Sequence, residues 1–147
     1  MKHQFVLDAN WYGGRNSEGT IESGNLKTAI SIPQPMGGPG TGTNPEEMLL
    51  GAAATCYIIT LAAMLERSSI TVAQLTMKSE GIVDVTNNIF TYEQIIHRPE
   101  IVLHAESADQ VEKATVLAHK AEQSCMISRA IAGNVTITTQ PLISIAD

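Results

Sequence analysis

Residues 43–67 read Thr43-Asn44-Pro45-Glu46-Glu47-Met48-Leu49-Leu50-Gly51-Ala52-Ala53-Ala54-Thr55-Cys56-Tyr57-Ile58-Ile59-Thr60-Leu61-Ala62-Ala63-Met64-Leu65-Glu66-Arg67. Asn44 can cap a helix, Pro45 suits the first helical position, and Glu47 stands three residues after Asn44 in capping-box spacing. Two carboxylates in the first turn and Arg67 in the last complement the helix dipole. The stretch predicts one helix from 45 to about 67. Met48 to Leu65 carries no charge over 18 residues, which touches the length of a membrane span. Its alanine content, with Gly51, Thr55, Cys56 and Thr60 inside it, and its isolation in a strand-rich chain favour a buried core helix.

Upstream, Pro33 to Gly42 holds three Pro and four Gly and reads as a loop. Residues 20–32 and 3–12 read as two strands around the turn Gly13-Gly14-Arg15-Asn16-Ser17-Glu18-Gly19, an N-terminal hairpin. Downstream, residues 70–85 and 90–104 are rich in β-branched and aromatic side chains and read as paired strands, with Thr86-Asn87-Asn88 as their turn. Ser107 and Gln110 repeat the capping-box spacing before a helix to about Gln123. A short helical segment follows Cys125 and closes at Gly133, and a last strand covers 135–145. The order ββ-α-ββ-α-β is not a strict alternation. It predicts an α+β fold with antiparallel pairing, in a single domain over 1–147.

Composition narrows the function. The 147 residues are 44% hydrophobic and 16% charged, with a net charge of −6, as for a soluble globular protein. The acidic balance disfavours nucleic acid and anionic membrane surfaces as partners. The first residues lack the apolar core of a signal peptide, which points to a cytoplasmic protein whose two cysteines are reduced by default.

Cys56 and Cys125 are the candidate reactive groups. Each is also readable as a small buried packing residue. Cys125 falls at a helix start, where a thiol is expected to have a lowered pKa. No C-x-x-C is present. His97 and His104, seven apart on a strand, face opposite sides, which argues against zinc held by cysteine and histidine. A cysteine hydrolase lacks a local histidine for Cys56. Arg15, in a glycine-rich turn, could lower the Cys56 pKa, and Glu46 could orient it by a carboxylate–guanidinium pair. The bland alternatives are a solvated turn arginine and an ordinary helix-start carboxylate.

Three segments together resemble the OsmC/Ohr family: Gly13-Gly14-Arg15 after the first strand, the run from Thr43 to Cys56, and Ser124-Cys125-Met126-Ile127-Ser128-Arg129-Ala130-Ile131. The element order also fits, so the resemblance covers nearly the whole chain. It implies an intertwined homodimer in which antiparallel sheets wrap two central helices. It implies a thiol peroxidase that needs no cofactor and no metal and reduces organic hydroperoxides, and hydrogen peroxide to varying degrees. In that scheme Cys56 is the peroxidatic cysteine, Cys125 resolves it as a disulfide, Arg15 stabilises the thiolate and Glu46 holds Arg15. A dithiol, lipoyl or thioredoxin-type reductant resets the pair. Met48, Leu49, Ile58 and Ile59 are candidates for an apolar lining. Family members often carry proline after the second cysteine, where this chain has Met126. A non-catalytic apolar-ligand-binding protein and a thiol redox sensor are the competing readings on the same fold.

Overall fold

The computed structural model describes residues 1–147, which divide into two compact units, 1–48 and 49–147. The first is built on an antiparallel sheet of β1 (Asp8–Trp11), β2 (Gly19–Ser23) and β3 (Leu26–Ile30), with β2 in the middle. The run expected as one strand over 20–32 is thus two. Gly24 has φ +57°, a conformation glycine adopts without steric cost, and it folds β3 back on β2. The regular first strand is shorter than expected, although the Ser23 hydroxyl still donates to the Val6 carbonyl at 2.7 Å. The proline- and glycine-rich loop forms one 3₁₀ turn at Gln34–Met36. Ser31 then fixes the approach to the long helix: its hydroxyl donates to the Thr41 carbonyl and accepts the Thr41 N–H, both at 2.7 Å.

The helix α1 (Pro45–Arg67) begins where expected. Asn44 Oδ1 accepts the Glu47 N–H at 2.8 Å, and the Asn44 amide donates to the Glu47 carboxylate at 2.6 Å. The boundary between the two units falls in the first turn of this helix.

In the second unit α1 buries Ala53, Tyr57, Leu61 and Leu65. These positions are four apart, so they form one narrow stripe. Tyr57, Leu61 and Leu65 pack with Ile101 and Leu103 and with the small residues Ala114, Ala118 and Ala121. The last three belong to α2 (Val111–Ser124), the others to β5 (Ile89–Leu103). Alanine on α2 lets the helices approach closely enough for the Tyr57 hydroxyl to donate to the Ala118 carbonyl at 2.8 Å.

β5 pairs antiparallel with β4 (Val72–Thr86) through the expected turn, where Asn87 and Asn88 have φ of 52° and 61°. Two positive φ values in sequence are the signature of a type I′ hairpin turn. On its other edge β5 carries β6 (Thr136–Thr139) and β7 (Leu142–Ile145), each parallel to it. The single last strand expected over 135–145 is interrupted by Gln140 and Pro141; proline cannot donate to the ladder.

The second capping box does not form. Residues 105–110 make a 3₁₀ segment and α2 starts without a side-chain cap. The Ser107 hydroxyl instead accepts the Thr71 N–H at 2.9 Å, a partner 36 residues away that local spacing does not disclose.

Candidate active site

Cys56 lies on α1 directly before Tyr57, at the edge of the buried stripe, and is half-buried. Cys125 is fully buried between α2 and the short helix α3 (Met126–Ile131), as the last cap of the one and the first cap of the other. A small apolar cluster holds α3 in place: Ile127 and Ile131 pack with Ala53 and Leu50 of α1 and with Ile95, Tyr92 and Val135. This packing places Cys125 beside Cys56, near enough for each to bear on the other's ionisation, with both in the free form.

The two sulfurs are electrostatically unequal. Burial alone pushes the Cys56 thiol up, but the Cys125 thiol, the backbone N–H groups of Ile127 and Met126 and the Thr60 hydroxyl outweigh it. The net result holds Cys56 below the ordinary thiol range, which favours its thiolate. Thr60 contributes least; its single proton also serves the Cys56 carbonyl, at 2.7 Å. Cys125 moves the other way. Burial raises it, its hydrogen bond and charge interaction with Cys56 raise it further, and only Ser128 opposes them. Of the reduced pair, Cys56 is the sulfur that ionises more readily and Cys125 the one that holds its proton more firmly.

This reverses one expectation. Cys125 does occupy a helix start, yet its own thiol is raised. The N–H groups that a helix start leaves without intrahelical partners bear on Cys56 instead. Sequence reasoning missed Met126 and Ile127 as donors; the signal available was that N–H groups following a helix-start cysteine need acceptors. Met126 carries a second consequence. A proline at its position would have no N–H to give, and it is the first residue of α3, where proline is tolerated. Cys125 has ψ 125°, which also suits a residue before proline. The Met126→Pro variant is expected to fold and to raise the pH midpoint of Cys56 ionisation, followed by ultraviolet thiolate absorbance. An unchanged midpoint would remove Met126 from the site.

The other two candidates belong to the N-terminal unit. Arg15 is exposed in the turn after β1, and its guanidinium donates to Asn16 Oδ1 at 2.7 Å and to the Met36 carbonyl at 3.1 Å. Glu46 is half-buried in the first turn of α1. Of the candidate lining residues, Met48, Leu49 and Ile58 are half-buried and Ile59 is exposed.

A second polar cluster sits behind Cys56. His97 is fully buried and stacks on Tyr57, ring centroids 4.7 Å apart. Its Nδ1 pairs with Ser79 Oγ at 2.7 Å, while Nε2 has no partner. Burial pushes His97 down to about 4. Burial also raises Tyr57, its interaction with the Thr139 hydroxyl pulls against it, and Glu122 adds to the rise.

Residues 38–140 match the family described as OsmC-like protein. The chain belongs to the OsmC-like family. Among OsmC-like relatives, it is 62% identical over 144 residues to the uncharacterized protein YmaD of Bacillus subtilis strain 168, covering 97% of this chain and 96% of that one. It is 31% identical over 139 residues to an organic hydroperoxide resistance protein of Xanthomonas axonopodis pv. citri strain 306, covering 91% and 92%. A solved organic hydroperoxide resistance protein OsmC from Legionella pneumophila superposes with a TM-score of 0.73 at 27% identity, over 99% of this chain and 100% of that one. The OsmC-like α+β fold anticipated from the sequence, antiparallel sheets combined with helices, is the fold observed, with β6 and β7 added parallel to β5.

Proposed function

We propose that this OsmC-like protein is a cysteine peroxidase that reduces organic hydroperoxides. What supports this reading is the placement of the two thiols beside each other, with Cys56 the more readily ionised and Cys125 the more firmly protonated. The hydroperoxide resistance proteins among its relatives support the same reading.

The Cys56 thiolate attacks one peroxide oxygen. The O–O bond breaks, the alcohol leaves after taking a proton, and Cys56 becomes a sulfenic acid. Cys125 then attacks that sulfur, the S–O bond breaks, and water leaves as the disulfide closes. A dithiol reductant reopens it by two exchange steps and is itself oxidised to a disulfide. The Met126 and Ile127 N–H groups serve both the thiolate and the polarised sulfur–oxygen species. Arg15 as activator of Cys56 and Glu46 as its holder enter this reading through the family resemblance.

The working form in this proposal is a homodimer acting in the cytoplasm, each chain one OsmC-like domain. Exposed apolar side chains support a partner: Ile59 on α1, and Ile82, Val85, Ile89 and Phe90 toward the tip of the β4–β5 hairpin. Groups of apolar residues of this kind mark interaction surfaces.

The test is stopped-flow consumption of cumene hydroperoxide with dithiothreitol in excess. Repeated turnover at substoichiometric protein is expected. Oxidation that halts after one equivalent would identify a sensor, and no consumption at all would leave the apolar-ligand binder.

A further inference from the structure

The fully buried Cys125 has to lose a proton when the disulfide forms and regain one when it is reduced. Cys125 itself has no exposure to solvent. Ser128, one turn further along α3, is 6% exposed. Its hydroxyl has no hydrogen-bond partner. Ser128 lies near enough to the Cys125 sulfur to pull its pKa down, yet neither a hydroxyl bond nor a side-chain cap is formed while Cys125 is a neutral thiol. Leaving a buried hydroxyl without a partner is unfavourable. Ser128 also lines a cavity of about 350 Å³ with Glu122, Gln123, Arg129, Gly133 and Ile137, large enough for several waters.

We propose that Ser128 is the positioning and proton-relay residue for Cys125, linking its sulfur to the water of this cavity. The inference rests on the peroxidase reading for its biological use, though not for its chemistry. In resolution, the Cys125 proton passes through Ser128 Oγ to cavity water, and the thiolate left behind accepts from the Ser128 hydroxyl and N–H. That thiolate attacks the Cys56 sulfenic sulfur; the S–O bond breaks, and the departing hydroxide takes up one proton to become water. In reduction, the dithiol's thiolate attacks Cys56, the S–S bond breaks, and Cys125 leaves as a thiolate that is reprotonated along the same path. Three other ionisable groups face this locus: Cys56 from α1, Glu122 from α2 and Arg129 from α3. Glu122 Oε2 is engaged by the Thr139 hydroxyl at 3.2 Å, which leaves the unpartnered Ser128 hydroxyl as the group able to turn toward the sulfur.

Two measurements test this on the full chain. In a Cys56→Ser background, ultraviolet absorbance titrates Cys125 alone. Adding Ser128→Ala is expected to move its midpoint up by about one pH unit, the loss of one hydrogen bond to a charged sulfur, and Ser128→Thr to restore it. With both cysteines present, quenched-flow mass spectrometry after one equivalent of cumene hydroperoxide gives the ratio of disulfide to sulfenic acid formation rates. Ser128→Ala is expected to lower that ratio about tenfold, with Ser128→Thr again restoring it. An Ala variant that titrates and resolves like the parent overturns the proposal, and so does a Thr variant no better than Ala. Should the parent protein form no sulfenic acid, the peroxidase reading fails while the titration still decides Ser128.

Discussion

Replacing Cys56 by serine is expected to reduce hydroperoxide consumption to the uncatalysed background. The nucleophile in this chemistry is a thiolate, and a serine hydroxyl neither ionises near neutral pH nor accepts an oxygen atom from a peroxide. The donors around the sulfur amplify the contrast. Cys125, Ile127, Met126 and Thr60 together overcome the cost of burial and favour the Cys56 thiolate, and around an un-ionised serine they would have no charge to stabilise. Replacing Cys125 by serine has a different signature. Cys56 still reacts once, but its sulfenic acid persists because no second sulfur is in contact with it. Mass spectrometry before and after trapping with a sulfenic-specific reagent separates the two variants. Retention of activity in the Cys56→Ser protein, or a disulfide-linked peptide pair other than Cys56 with Cys125, would end the assignment.

The second large effect is on stability. His97 is neutral in the fold because burial pushes it down to about 4, whereas in the unfolded chain it titrates near about 6.5. Between these values the unfolded state binds the extra proton, so stability rises with pH across this window and is lost as pH falls from about 6.5 to 4. The full shift corresponds to about 3 kcal/mol. The physical origin is visible in the packing: the imidazolium would have to exist between Tyr57 and Ser79 with its Nε2–H buried and no acceptor for it. Urea denaturation at neutral pH and near the acid end of the window measures the difference. A His97→Gln variant should be less stable at neutral pH and lack this component of the acid dependence. Equal acid sensitivity in parent and variant would show that His97 does not carry it.

Local signals were enough for much of the fold. Asn44, Pro45 and Glu47 specify the start of α1 within a single turn of chain, and Asn87 with Asn88 specifies the hairpin, because each feature is closed by neighbours in sequence. Gly24 and Pro141 were legible as residue types but were absorbed into strand-like runs that their backbone constraints divide. Ser107 misled because its hydroxyl is engaged by Thr71 across the fold. The same contrast holds at the site. Cys56 and Cys125 could be singled out, but their relative acidity could not. It depends on which sulfur the Met126 and Ile127 N–H groups reach, and that is set by Ile127 and Ile131 packing with Ala53 and Leu50.

Cys125 also fixes how the protein presents itself to others. Its N–H bonds the Ala121 carbonyl at 2.9 Å, and its own carbonyl accepts the Arg129 N–H at 3.0 Å. The backbone is held on both sides of a sulfur that lies beside Cys56. In the proposed cycle, closing the bond is then expected to ask for side-chain rotation and little displacement of chain, so that fresh and spent molecules would share one outline. The reductant of that cycle would then find no unfolded corner or exposed loop by which to recognise its client. It would sample every copy it meets and be sorted by reactivity, a logic that suits small, abundant dithiols better than a dedicated docking partner.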